Sequence, residues 1–464
     1  MISARHRERT PRAGLAIGLL AAVLGSAGCV PPWQERPLAF LVGEVAPGST
    51  LAGCDLAAQT LVATSSLHLD PACLYGGGVE IRASDVVLDC RGARIEDVSG
   101  TRSRGILVAS PSDVPLSNVT IRNCVVAGFL NNVRVTRDGF KTLPAGGEYD
   151  AAFSDVVVEN SHLYRSRGSG VFVDGYVTDV TLRGLEIAGS GSVGVYLEAG
   201  SRDGRVEASW IHHNGYGDVV PEGIPFSFGG GELRYESTGR EGIAIDGSRG
   251  NRISGNRIHD NSAGGIFLYK NCGEYATERP SQWWVRRYGA DDNVISGNRI
   301  EREKTGVWIG SRMAENQYFM DCSDPTYLSG AFRRIHRDYA ARNAVEENVF
   351  LAVHFGVRIE DDSSRVSDNW FLADEPGAQA VILGTKHRSE VLSEPVRDTV
   401  ISRNHALVVG NDGPYRWIHG HVATTFDDNR SHLADVEQGL AVDLAPGDPP
   451  PINPFLFVIR FWAP

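Results

Sequence analysis

The sequence predicts an all-β chain wound as a parallel β-helix, a solenoid of short strands with three long loop insertions walling a groove. Two recurring phrases and one repeat interval predict it. The segments Gly170-Val-Phe-Val-Asp174, Gly194-Val-Tyr-Leu-Glu198, Gly242-Ile-Ala-Ile-Asp246, Gly265-Ile-Phe-Leu-Tyr269, Gly306-Val-Trp-Ile-Gly310 and Gly356-Val-Arg-Ile-Glu360 all read Gly, apolar, variable, apolar, variable. Between them recurs a second phrase, Asn256-Arg-Ile, Asn298-Arg-Ile, Asn348-Val-Phe, Asn369-Trp-Phe and Asn404-His-Ala. Uninterrupted repeats are 24 residues apart from Gly170 to Gly194, 23 from Gly242 to Gly265 and 24 from Gly356 to Ala380. Period-2 strands of four or five residues at such an interval stack as coils, because each coil buries its apolar face only against its neighbours. A helical solenoid needs apolar residues at i, i+3 and i+4, which these segments lack.

Composition agrees. The 464 residues include 53 Gly, 22 Pro and only 3 Met, which suits one large turn-rich core and excludes a coiled coil or a mainly disordered chain. A net charge of -12 argues against a general nucleic-acid binder, so an anionic partner must be met by a local basic patch.

In chain order, residues 1–28 read as a signal peptide. Arg5, Arg7, Arg9 and Arg12 precede an apolar run from Ala13 to Leu24 that ends in small residues and is too short to span a bilayer. The leader holds four Arg and one Glu, so its removal takes the charge from -12 to -15. Ala27-Gly28-Cys29 resembles a bacterial lipoprotein processing site with Cys29 acylated, although Ser26 stands where Leu is usual; ordinary cleavage after Ala27 is the alternative. Either way the protein is exported, to the periplasm or outer membrane as a lipoprotein or else secreted, and a lipid on Cys29 would be its only membrane contact. Residues 29–49 read as a linker, 50–434 as the β-helix and 435–464 as a Pro-rich cap in which Pro449-Pro450-Pro451 precede the apolar run Phe455 to Phe461. A monomer is expected.

Export permits disulfides. Cys54 and Cys73 bracket a short strand-like segment and form one plausible pair; Cys272 and Cys322, in neighbouring insertions, form another that would staple the groove walls. Cys90 and Cys124 are read as buried thiols.

With these repeats in place, the chain resembles the right-handed parallel β-helix (pectate-lyase-like) superfamily, which includes pectate lyases, polygalacturonases and polymer epimerases. Its early stretch Val86-Val-Leu-Asp89-Cys90-Arg-Gly92 looks like the first coils of secreted members. The resemblance covers roughly residues 50 to 430 and implies the fold, not a reaction. The polygalacturonase motifs are missing, with His419-Gly420-His421 reversing one of them, and the epimerase phrase Asp-Pro-His-Asp is approached only by Asp70-Pro71-Ala72, in the wrong region.

Asn256, Asn298 and Asn348 are expected to satisfy buried backbone groups at the bends. His259 and the equivalent His212-His213 fall in variable slots of the repeat and are read as solenoid surface rather than catalytic groups. The interval breaks from Gly194 to Gly242, from Gly265 to Gly306 and from Gly306 to Gly356, placing insertions at about 216–239, 273–290 and 313–341. Long loops on a rigid scaffold commonly carry function. Trp283-Trp284-Val-Arg286-Arg287 offers aromatic faces for sugar rings and guanidinium groups for carboxylates. The competing reading has one Trp plugging the loop base and the Arg pair solvated.

In the Gly phrase the third and fifth residues turn outward. The third-position column runs Phe172, Tyr196, Ala244, Phe267, Trp308, Arg358. The fifth runs Asp174, Glu198, Asp246, Tyr269, Gly310, Glu360, with Lys270 and Asp361 in the sixth place and Arg312 close by. Coils lie about 4.8 Å apart, so Asp174, Glu198 and Asp246 form a carboxylate ladder that must share protons or a cation. Three chemistries fit. Ca²⁺ on Asp174, Glu198 and Asp246 could polarise a uronate, as the resemblance to Ca²⁺-dependent pectate lyases implies. Glu198 and Asp246 could serve as acid and base in glycoside hydrolysis. Lys270 or Tyr269 could remove the proton α to a uronate carboxyl that Arg312 or Arg358 neutralises, giving β-elimination or epimerisation. Trp308, Arg358, Trp283, Trp284, Arg286, Arg287 and Glu360 would then bind the substrate. The expected activity is a lyase on an acidic, uronate-containing polysaccharide; a hydrolase, an epimerase or a non-catalytic envelope carbohydrate-binding protein are the alternatives, and a polar face that merely keeps a solenoid soluble is the competing reading of the column.

Overall fold

A computed structural model describes residues 45–228, 231–271, 284–311, 313–315, 327–328, 334–336, 339–408, 413–418, 420–431 and 435–436. The leader, Cys29, Cys272, Cys322, Trp283, Arg312 and nearly all of the Pro-rich tail therefore lie outside the described residues. Among the described residues no helix is long and apolar enough to cross a membrane.

Three parallel sheets of 13, 13 and 12 strands form the solenoid. One coil shows the winding: Val180–Arg183 lies in the first sheet, here the base sheet; Glu186–Ala188 in the second, the flank sheet; and Val195–Leu197 in the third, the groove sheet. The next coil restarts in the base sheet at Arg205–Glu207. Alternation sends every second side chain inward, so Val158, Leu182, Val206, Ile253, Ile295 and Val345 stack in register and are all nearly inaccessible.

The glycines that open each repeat serve close stacking. A Cβ on Gly194 would fall 2.7 Å from the carbonyl oxygen of Gly242, and one on Gly265 2.6 Å from that of Gly306. Those oxygens belong to backbone held in the ladder, so a side chain has nowhere to go.

The recurrent Asn form the expected ladder. Asn256 donates its backbone N–H and its side-chain amide to Oδ1 of Asn298, at 3.0 and 2.9 Å, and Asn298 repeats both bonds to Asn348. The same rungs continue through Asn369, Asn404 and Asn429. A parallel run joins Asn214 to Asn261 and ends on Glu303, whose Oε1 accepts from the Asn261 side chain at 2.8 Å while Oε2 has no hydrogen-bond partner. Burial, only partly opposed by Asn261, pushes the Glu303 carboxyl well above the usual range. The folded state therefore holds this proton more tightly than the unfolded chain, and stability falls as pH rises beyond the ordinary carboxylate value. Glu303→Gln is expected to flatten that slope and to raise stability at neutral pH, and the melting temperature with it, by a free energy of about 1.4 kcal/mol for each pH unit by which the folded carboxyl stands above its unfolded value. Melting curves across pH that are identical for the two proteins would refute it.

Cys54 pairs with Cys73, as expected. Cys90 and Cys124 are not thiols but form a second disulfide. Each follows a base-sheet strand on neighbouring coils, Val86–Asp89 and Val119–Arg122, and the 4.8 Å between their Cα atoms is a spacing a disulfide spans. Both bridges lie in the first coils of the solenoid.

Candidate functional site

The outward columns of the groove sheet are in the register the sequence implies. Arg134, Phe172, Tyr196, Ala244, Phe267, Trp308 and Arg358 are successive ladder partners. The column is not a solvated face, however. Tyr196, Ala244, Phe267, Tyr269 and Trp308 are buried as a second apolar layer outside the solenoid wall, with Phe172 partly exposed at its margin. Phe172 and Tyr196 stack with ring centres 4.8 Å apart, and Phe267 meets Trp308 edge-on at 5.4 Å. Third-position residues large enough to stack from coil to coil help bury one another, which alternation alone does not reveal.

Charge gathers at the open margin of this layer. Asp174 accepts two bonds from Arg134, from Nε at 2.7 Å and Nη2 at 3.0 Å. Glu198 accepts from the Ala199 N–H at 2.9 Å and faces Arg286 Nε at 3.3 Å. Exposed Lys141 lies within electrostatic reach of Glu198, Arg286, Asp174 and Arg134. Burial, together with the carboxylates of Asp246 and Asp174, raises the Glu198 carboxyl above its ordinary value against the pull of Arg286. On the next coil Asp246 is wholly buried; its Oδ2 accepts the hydroxyl of Tyr196 and its Oδ1 the Asn271 N–H at 2.6 Å. Two carboxyl groups on adjacent coils thus have different surroundings: burial raises the Glu198 carboxyl, and Asp246 accepts the hydroxyl of a phenol.

Other expected site residues lie elsewhere. Tyr269 is fully buried, donating to Glu241 Oε1 at 2.8 Å and accepting from Arg240 at 3.0 Å. Lys270 is fully buried within electrostatic reach of Asp291. Both are as fully buried as Trp308, and the bonds of Tyr269 engage it with Arg240 and Glu241 instead of the charged cluster around Glu198. Glu360 is paired with Arg358 at 2.8 Å. Asp361, pushed up to about 7 by burial, is held by Arg388, itself fully buried. Trp284 plugs the base of its loop, edge-on to Phe140 at 5.2 Å and to Tyr176 at 5.5 Å, rather than offering a free face to sugar. Arg286 is buried and paired, not solvated, whereas Arg287 reaches Glu148 at 3.4 Å.

A Ca²⁺ site on Asp174, Glu198 and Asp246 does not fit these contacts. Calcium needs six to eight oxygen ligands, whereas Arg134, Arg286 and Tyr196 already engage these three carboxylates. Among the described residues, three-ligand groups with donor atoms within 4.8 Å of one another are Cys54, Asp70 and Cys73, and His213, His259 and Asp260. Neither includes the ladder, and the first has its sulfurs in a disulfide.

Arg134, Lys141 and Tyr196 as an acid–base group are the additions that sequence reasoning missed. Arg134 occupies the third position of Asn132-Val-Arg134-Val-Thr136, where Asn stands in the Gly place, so a Gly-anchored pattern passes over that coil. Lys141 sits in a further insertion, between the strands Asn131–Asp138 and Val156–Glu159, whose Phe140 and Tyr149 pack with Tyr176, Trp284 and Tyr288.

Residues 74–279 match the family model described as a right handed beta helix region. No curated protein matches the sequence. Solved structures with the same winding include the A-module of mannuronan C-5 epimerase AlgE6 from Azotobacter vinelandii, with 14% identity, a TM-score of 0.50 and coverage of 82% of this chain and 91% of that one. DFA-IIIase from Arthrobacter chlorophenolicus A6, without its lid and in complex with GF2, is 11% identical with a TM-score of 0.51, covering 81% and 86%. An alginate lyase from a Paenibacillus species is 12% identical with a TM-score of 0.42, covering 82% and 93%. At such identities the likeness is one of fold.

Proposed function

We propose that this right-handed parallel β-helix is an exported enzyme that cleaves an acidic, uronate-containing polysaccharide by β-elimination at the open margin of its groove. The observation that carries the reading is the meeting of Arg134, Lys141 and Arg286 with Glu198 and the Tyr196–Asp246 pair on neighbouring coils. In a chain of net charge -12, exposed Lys141 beside Arg134 and Arg286, which are paired with Asp174 and Glu198, is where an anionic polymer would meet positive charge.

The sugar carboxylate is neutralised by the cations, which acidifies the C5–H beside it. Tyr196 oxygen takes that proton as its own hydroxyl proton passes to Asp246. The C5 electron pair forms the C4=C5 double bond, the C4–O bond breaks, and Glu198 gives its proton to the leaving oxygen. Phe172, stacked on Tyr196 and carrying Arg134 over its ring at 5.2 Å, holds these two groups in line and leaves only its partly exposed edge for the sugar. Leader removal at residues 1–28 with acylation of Cys29 would keep the enzyme at the envelope, acting as a monomer; a mature N-terminus without a lipid mass would make it a secreted protein instead.

A second reading, glycoside hydrolysis with Glu198 as acid and Asp246 as base, is favoured by the raised Glu198 carboxyl beside Asp246. Incubation of the mature protein with a panel of uronate polymers separates the two. Elimination yields new chain ends that absorb in the ultraviolet; new reducing ends without that absorbance mean hydrolysis. In either case Glu198 acts protonated, so the rate is expected to fall as pH rises through its elevated value.

A further inference from the structure

We propose that His213, His259 and Asp260 form a second site, on the flank sheet, for a divalent transition-metal ion such as zinc. None of these residues takes part in the reaction above.

The repeat itself assembles the site. His212 closes the strand Trp210–His212 and His259 closes Arg257–His259 at the same register position one coil on, so their rings stack 4.9 Å apart at 6°. His213 and Asp260 are the residues that follow, and both adopt the left-handed conformation, with φ of 54° and 55°. The same turn on successive coils thus brings together a second imidazole and a carboxylate beside His259. One donor atom from each of His213, His259 and Asp260 lies within 4.8 Å of the others. Two imidazoles and a carboxylate are a donor set zinc takes with ligand distances of about 2.0–2.2 Å, and three protein ligands leave a fourth position open.

A positive group already sits beside two of these donors, which are hydrogen-bonded to each other, His259 Nδ1 to Asp260 Oδ2 at 2.6 Å. Arg302, at the equivalent turn one coil further with φ of 50°, reaches back to Asp260 through Nε at 2.9 Å and Nη2 at 2.6 Å, and Nη2 lies 3.1 Å from His259 Nδ1. A metal ion would replace the proton shared by His259 and Asp260 and the charge that the guanidinium supplies. The side chain is 48% exposed, so it can swing into water when a metal enters, at the small cost of a surface ion pair. Around the donors stand partners that orient them: His212 Nδ1 is 2.9 Å from His213 Nδ1, and His212 Nε2 faces Glu186 Oε1 at 3.3 Å. His259 Nε2 accepts the indole N–H of partly exposed Trp210. Ligation through Nδ1 moves the remaining ring proton to Nε2 and releases that indole, so metal entry carries its own optical signal.

Titration of the untagged mature protein with Zn²⁺ tests the site. One equivalent should bind saturably, with a change in tryptophan emission at the same midpoint that disappears in Trp210→Phe. His213→Ala, at an exposed position whose loss does not threaten folding, should weaken binding by about tenfold or more, whereas Arg302→Ala should bind at least as tightly as the parent. Asp174→Asn should bind as the parent does. No saturable binding, unchanged affinity in His213→Ala, or loss of binding in Asp174→Asn alone would each overturn the proposal.

Discussion

Asp246→Asn is expected to lower turnover on the cognate uronate polymer by about 10²- to 10⁴-fold, the range a positioned general base contributes, with little change in melting temperature. The amide keeps the shape of the carboxylate: its oxygen still accepts the Asn271 N–H, and its NH2 can donate to the Tyr196 oxygen once that hydroxyl turns, so the apolar layer around it stays packed. It cannot receive the proton that Tyr196 must pass on. The defect should therefore appear in kcat, with substrate affinity preserved because Arg134, Lys141 and Arg286 are untouched. A variant with parental turnover would remove Asp246 from the reaction, whichever of elimination and hydrolysis the product assay reports.

Asn298→Ala should be among the most damaging small changes in the solenoid, costing about 2–4 kcal/mol. The Asn298 side chain accepts the backbone N–H and the amide of Asn256 and donates to Ile253 O at 2.7 Å and to Asn348 Oδ1 at 3.0 Å, all buried. Truncation leaves the buried Asn256 N–H without its acceptor and takes a donor from Ile253 O, while Asn348 Oδ1 keeps the backbone N–H of residue 298 and the Asn256 amide keeps Val206 O; each buried orphan costs about 1–3 kcal/mol. The midpoint of chemical denaturation reports the loss. A decrease below about 1 kcal/mol would mean that the neighbouring rungs relax to cover the gap, and the ladder would then be decoration on a solenoid held by its aliphatic stacks.

The fold was legible because every coil repeats the same physical demand. Inward residues such as Val206, Ile253 and Ile295 must be apolar, the rung position must bond to the next coil, and the position of Gly194 and Gly265 must carry no side chain. Demands that recur can be read by comparing a sequence with itself. The site was legible only in part, since it depends on what covers the solenoid. The order of Asp174, Glu198 and Asp246 followed from the register, but their partners did not: Arg134 comes from a coil without the Gly, and Lys141 and Arg286 come from insertions that repeat nothing. Burial decided the rest. Tyr269 and Lys270 occupy outward positions and still lie inside the molecule, a consequence of the second apolar layer that Tyr196, Phe267 and Trp308 build. The Cys90–Cys124 pair was hidden because 34 residues separate two positions that the winding makes neighbours.

The Asn ladder has a direction. From Asn256 to Asn404, each backbone N–H is satisfied by the Asn of the following coil, never by that of the preceding one. A coil is therefore complete only when its successor has been laid down, and a solenoid that winds from its N-terminus carries one unfinished rung, always at the growing tip. Winding in that order keeps the penalty constant however many coils have formed, so a chain crossing a membrane N-terminus first can bank finished coils behind a single open edge. Asn429, the last of the series, makes the same bonds back to Ile401 O and Asp427 O that Asn369 makes to Val345 O and Ser367 O, and the last strand pair, Asn429–Ser431 with Asp435–Val436, runs antiparallel. On that sheet the succession of parallel rungs has no further template to offer.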